Sequence, residues 1–163
     1  MGQNPLEGMR VPLGITFLAT ALLLGSAQSV REMPPLAAER LTNIQLFALG
    51  GIGFAGKTSD GETAFKVVMG EPRQEALQTL EKVFANGSVA AKSYALVGIR
   101  ALAPERFDTL YQTVSHSQKK VQTMSGCIAS TRPLREIADE IRSGAYDRKL
   151  PPNSRENSQP SQR

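Results

Sequence analysis

Between residues 36 and 144, apolar side chains recur three and four positions apart in six separate runs. That is the spacing of one face of an α-helix. The clearest pair of runs lies at 74–102. In 75–84 the apolar stripe is Ala76, Leu77, Leu80, Val83 and Phe84, and Glu75, Gln78, Glu81 and Lys82 fill the other face, as a half-buried helix requires. Gly87 tolerates the left-handed conformation that commonly follows a helix, and Ser88 is placed to cap the next one. The helix expected over 89–102 is apolar at Val89, Ala90, Tyr94, Ala95, Leu96, Val97, Ile99 and Leu102, with Lys92, Ser93 and Arg100 as its main polar positions. It is therefore expected to be the more buried of the two. So short a connection makes the pair antiparallel.

Four further helices follow from the same spacing. Leu36, Ala37, Leu41, Ile44, Phe47 and Ala48 mark one over 36–49, ended by Gly50 and Gly51. Ala64, Phe65, Val68 and Met69 mark a short one that starts at Asp60 or Gly61, with Ser59 and Glu62 at capping-box spacing. Pro104 suits a first helical turn, and Phe107, Leu110, Tyr111 and Val114 make the stripe of 104–115. Leu134, Ile137, Ala138 and Ile141 mark the last helix, capped by Thr131 and closed by Gly144. Residues 115–131 break the pattern and read as a loop folded back over the domain, with 121–124 suited to a short extended piece. The expected fold class is all-α: a small domain of about six short helices over 36–147, built on a central antiparallel hairpin.

The stretch EALQTLEKVFANGSVAAKSYALVGIRAL, with its paired Ala-Leu stripes, resembles one HEAT-like helical repeat. No second copy recurs at a fixed period, and a solenoid needs about three, so the chain reads as an ordinary small helical domain. Taken with GGIGFAGKTSDGE and TMSGCI, the hairpin also resembles exported bacterial helical proteins of no assigned function. That resemblance implies no activity.

Ahead of the helices, Arg10 precedes the apolar run VPLGITFLATALLL (11–24), and Gly25-Ser26-Ala27 supplies small residues after it. This is the pattern of a secretory signal peptide over 1–27. The run is short for a span of about 20 residues; an uncleaved N-terminal membrane anchor is the alternative. Residues 28–35 read as a linker, and the polar tail 148–163 is expected to be disordered. A single cysteine, Cys127, leaves the domain without an internal disulfide. The sequence pI of about 9.5 suggests nucleic acid until the charge is located. Residues 28–147 carry 14 Lys and Arg against 13 Asp and Glu, whereas the tail carries four against one. With no basic stripe on the folded part, nucleic acid is not an expected partner.

Residues 51–58, GIGFAGKT, match the phosphate-binding pattern letter for letter. In that reading Gly51 and Gly56 let the backbone wrap phosphate, Lys57 reaches the outer phosphates and Thr58 holds magnesium. The pattern needs a strand before it and a helix directly after it. Here the preceding run has helical period and Ser59-Asp60-Gly61-Glu62 looks like a fresh helix start. The competing reading is a glycine-rich connection anchored inward by Ile52 and Phe54. Cys127 and the only histidine, His116, share one irregular segment, and a thiolate beside an imidazole is a nucleophile pair. Against it stand a buried structural thiol and, after that, an intermolecular disulfide or exposed redox thiol, with His116 exposed near a helix C-terminus. Arg132 and Arg135 with Glu136, Asp139 and Glu140 suggest surface pairing. No metal or cofactor is expected. The expected function is that of an exported, non-enzymatic interaction or scaffold protein with a protein partner. The alternatives are a thiol enzyme using Cys127 with His116, and nucleotide binding at 51–58.

Overall fold

Helix-forming segments dominate the chain, and the most apolar of them takes the central position. The computed structural model describes residues 33–151. Among these are six α-helices: α1 (Pro34–Asn43), α2 (Asp60–Met69), α3 (Arg73–Asn86), α4 (Val89–Leu102), α5 (Pro104–Val114) and α6 (Leu134–Arg142). The other five all pack against α4. A helix that is apolar nearly all round must be buried on most sides, and ten of the fourteen residues of α4 are buried. Ser88 starts it, its hydroxyl accepting the Ala91 N–H at 3.0 Å. Gly87 ends α3 in an extended rather than left-handed conformation, at φ −82° and ψ 169°. A glycine belongs there for space, because a Cβ would lie 2.5 Å from the Val83 carbonyl and 2.7 Å from the Ala91 methyl.

The all-α expectation holds only coarsely: the chain is mostly helical and carries a small mixed sheet. Its strands are β1 (Leu46–Phe47), β2 (Lys120–Ser125) and β3 (Ile128–Pro133), in spatial order β1-β2-β3. β1 runs parallel to β2, with Leu46 opposite Gln122 and Phe47 opposite Thr123. β2 and β3 form an antiparallel hairpin from Lys120 opposite Pro133 to Ser125 opposite Ile128. The helix expected over 36–49 therefore stops at Asn43. Thr42 and Asn43 turn their side chains back onto the carbonyls of Ala38 and Glu39, a local competition with helix bonding. Ser88 then takes the chain's exit: its N–H donates to the Thr42 carbonyl at 3.0 Å and its hydroxyl to that of Ile44. Leu36, counted in the inward stripe, is exposed.

The expected loop at 115–131 is replaced over 120–133 by the hairpin, whose first strand contains the extended piece expected at 121–124. Val121 is its one buried residue, so no alternation of apolar and polar positions announces it. Thr131 consequently lies in β3 and caps nothing; the N-cap of α6 is Pro133, without a side-chain bond. Gly144 follows α6 in the left-handed region, at φ 86°, as its position suggested.

Hydroxyl groups lock the segment that joins β1 to α2. The Tyr94 hydroxyl donates to the Ala48 carbonyl at 2.7 Å and accepts the Ala48 N–H at 3.0 Å. Ser59 donates to the same carbonyl at 3.0 Å and caps α2 by accepting the Glu62 N–H at 3.0 Å. Glu62 does not complete a reciprocal capping box. Its carboxylate instead accepts the Gly50 N–H at 2.9 Å and pairs with Lys66 at 2.8 Å. Burial raises the Tyr94 pKa more than its bonds to Ser59 and Ala48 lower it, and the Glu62 charge adds to the rise.

The apolar run 11–24, the first part of the 28–35 linker and the tail from 152 onward lie outside the described residues. Among the described residues, no helix is long and apolar enough to cross a membrane.

Candidate functional site

Residues 51–58 are shaped by two glycines and one short backbone pairing. Ile52 and Lys57 exchange both backbone hydrogen bonds, at 2.8 and 2.9 Å. Gly53 and Gly56 take φ 69° and 60° in the turn between them, a conformation that glycine adopts without strain. The chain reaches this loop from β1 rather than from a helix. Thr58 and Ser59 separate Lys57 from the start of α2, so Gly56 lies in a β-turn, Lys57 in the pair that closes it, and Gly51 and Thr58 flank that pair. Lys57 and Thr58 line a hollow of about 340 Å³ together with Asp60. Tight pairing of Ile52 with Lys57 leaves the turn no length to fold inward. Phe54, expected as an inward anchor, therefore stands fully in solvent at 104 % relative exposure, and Ile52 is half-buried.

This turn rests on another. The Gly53 N–H donates to the Gly126 carbonyl at 2.8 Å, and Ile52 bridges to Gly126. Gly126, at φ 54°, begins the two-residue turn of the β2–β3 hairpin, and Cys127 completes it. The thiol is free and exposed, which corrects the expectation of a buried structural cysteine: the tip of a hairpin has no layer above it. His116 is exposed just past α5, as expected. It lies at the other end of the hairpin, where the N–H groups of Leu134 and Arg135 hold the carbonyls of Lys119 and Ser117. The six residues of β2 put roughly 20 Å of extended chain between the two ends. The fold does not bring Cys127 and His116 together. It puts Phe54 and Cys127 on two bonded turns, with Ile128 (74 % exposed) next to Cys127 at the start of β3.

A second feature converges where one face of the hairpin meets the chain beyond α6. Alternate residues of a strand share a face, so Thr123 and Ser125 of β2 line up with Ile128, Ser130 and Arg132 of β3. Facing them are Phe47, Glu140, Tyr146 and Lys149, around a cleft of about 380 Å³. Edge-to-face packing fixes two of its walls, with Phe47 at 5.3 Å from Tyr146 and 4.9 Å from Tyr94, ring centre to ring centre. Arg132 grips Glu140 with both guanidinium nitrogens, at 2.6 and 3.1 Å, and reaches Glu136 at 3.5 Å. The Tyr146 hydroxyl donates to Glu140 at 2.8 Å.

Burial alone would raise the Glu140 pKa, but the bonds from Arg132 and Tyr146 outweigh it and hold the carboxyl below its ordinary value. Burial, and then the bond to Glu140, push the Tyr146 phenol far up, so it remains a donor. A carboxylate with a depressed folded pKa adds stability above the ordinary glutamate value of about 4.3, lost as the pH falls through the folded pKa. Thermal melts at pH 7 and pH 3 are expected to show a smaller acid-induced drop for Glu140→Gln than for the native chain. Equal drops would mean that the cluster adds nothing to acid sensitivity.

Sequence spacing exposes part of this cluster, since Arg132, Glu136 and Glu140 lie four residues apart. Tyr146 and Lys149 carry no such signal, because the turn after α6 alone brings them back over the sheet. Among the described residues, no group of three or more His, Cys, Asp or Glu is placed to hold a metal ion. No family model matches the chain, and neither the curated proteins nor the solved structures contain a match to it.

Proposed function

We propose that the protein is an exported, non-enzymatic interaction module that presents its two joined turns to a protein partner. The observation that carries this reading is the placement of Phe54 and Ile128. Both are large apolar side chains standing in solvent; Phe54 sits on a turn bonded to the hairpin turn, and Ile128 opens the strand that leaves that hairpin turn. Exposed aromatic anchors on a rigid support are what the centre of a protein interface uses. The nearly neutral charge of 28–147 suits a partner held by apolar contact rather than by a charged polymer. The apolar run at 11–24 supports delivery across a membrane.

Site-specific photo-crosslinking in the envelope fraction of the native organism tests this. A crosslinker in place of Phe54 is expected to give one discrete protein adduct. The adduct should disappear with Ile128→Asp and persist with Cys127→Ser. A crosslinker at the exposed Thr109 of α5 should not give it. An adduct from Thr109 but none from Phe54, or an adduct that survives Ile128→Asp, would overturn the reading. Loss only with Cys127→Ser would point to thiol chemistry instead.

A further inference from the structure

We propose that the cleft between the β2–β3 face and the chain beyond α6 binds a small organic carboxylate with a short apolar body. The inference does not rest on the partner-binding reading above, which uses the hairpin tip.

The charges of the cleft identify the ligand's charge. Its charged lining residues are Arg132, Glu140 and Lys149. Arg132 and Glu140 satisfy each other through two hydrogen bonds, and Tyr146 fills a further acceptor position on Glu140. Lys149 makes no ion pair with them, although its charge also acts on Glu140 from farther off. Its ammonium stands 5.6 Å above the Tyr146 ring and has no carboxylate within ion-pair distance among the described residues. The cleft thus offers one ammonium with no carboxylate in contact, and the carboxylate of a singly charged ligand supplies that contact. A doubly charged phosphate would leave excess negative charge facing Glu140.

The position of that ammonium is built into the backbone. The Lys149 stem lies across Gly50, whose missing Cβ would sit 3.4 Å from Cδ and Cε. Gly50 also holds φ 80°, and its N–H is fixed by Glu62. The stem therefore runs over a surface that no side chain interrupts.

The rest of the lining sets the body of the ligand. Phe47 and Ile128 supply apolar walls, and Phe47 and Tyr146 are already locked edge to face. The Ser125 hydroxyl has no hydrogen-bond partner among the described residues and is available to a ligand oxygen. A volume of about 380 Å³ lies near the small end of ligand sites, which run from about 300 to 1,000 Å³. That suits a benzoate- or hexanoate-sized molecule better than a peptide or a lipid.

The test titrates the full chain with benzoate, hexanoate and their uncharged amides, followed by amide NMR shifts and calorimetry. Both carboxylates should shift residues 123–130 and 145–149, and the matching amides should bind at least about tenfold more weakly, as loss of a charge-assisted bond implies. Lys149→Gln should bring carboxylate affinity down to that of the amide, and Lys149→Arg should restore most of it. Lys149 is exposed, so neither variant threatens the fold. No saturable shift at about 10 mM ligand, equal binding of acid and amide, shifts elsewhere, or indifference to Lys149→Gln would each overturn the proposal.

Discussion

Replacing Tyr94 with alanine is expected to destabilise the protein by about 3–5 kcal/mol, the cost of removing a large aromatic from a tight core. Against a total of about 5–15 kcal/mol for a typical domain, this should lower the melting temperature by roughly 10–20 °C. Tyr94 is fully buried at the centre of α4, with its ring against Phe47 and Phe65. Its hydroxyl serves both backbone groups of Ala48, and Ser59 shares that carbonyl. Tyr94→Phe separates the two roles. It keeps the ring but leaves the Ala48 N–H buried without its acceptor, which costs about 1–3 kcal/mol.

The same pair of variants carries a pH signature. A phenol whose folded pKa is raised contributes stability below its unfolded pKa of about 10 and loses it as the pH rises through the folded value. The native chain should therefore lose stability above pH 10 more steeply than Tyr94→Phe. Denaturant melts of the three proteins at pH 7 and at pH 10.5 would measure both effects. A Tyr94→Phe variant as stable as the native chain would mean that the Ala48 amide finds another partner. In that case the hydroxyl knot does not hold β1 in place.

How far the sequence foretold this architecture depended on what each segment buries. α3 and α4 were legible because their faces differ: Ala76, Leu77, Leu80 and Val83 are buried while Gln78 and Lys82 stay in water. Ser88 and Ser59 were legible as caps for a local reason, since a cap bonds within three residues of itself. Of the hairpin at 120–133 only the extended piece at 121–124 was legible, because a sheet that buries only Val121 writes no period-two signal. β1 was hidden differently. Leu46 and Phe47 continue the helical period of α1, and only pairing with β2 and bonds from Ser88 and Tyr94 to the residues on either side, all more than 40 residues away, turn them into a strand. The candidate sites divide in the same manner. Arg132, Glu136 and Glu140 share a helical spacing, whereas Phe54, Cys127 and Lys149 took their surroundings from long-range pairings that spacing does not encode.

Gly98→Val is expected to be as damaging as loss of the Tyr94 ring, and for the opposite reason. Gly98 lies on α4 where three other side chains close over it. A Cβ there would meet Leu80 Cδ1 at 2.6 Å, Met69 Sδ at 3.0 Å and Phe65 Cε2 at 3.1 Å. Helix propensity favours a larger residue: alanine gains about 1 kcal/mol over glycine in a helix interior. Overpacking opposes it by about 1–3 kcal/mol. For Gly98→Ala the two nearly offset, because a Leu80 methyl and the Met69 thioether can swing aside, and the expected loss is about 1 kcal/mol. Valine adds two branches that have no such escape and are stiff in a helix, so its loss should reach about 3 kcal/mol or more. The mechanism has its own check in the pair Gly98→Ala and Leu80→Val. Trimming Leu80 removes the closest clash, so the double variant should be more stable than the two single losses sum to, by at least about 0.5 kcal/mol. Strict additivity would mean that Gly98 is not the point where α2, α3 and α4 come closest. The close approach of the hairpin would then rest on Gly87 and the alanine stripe alone.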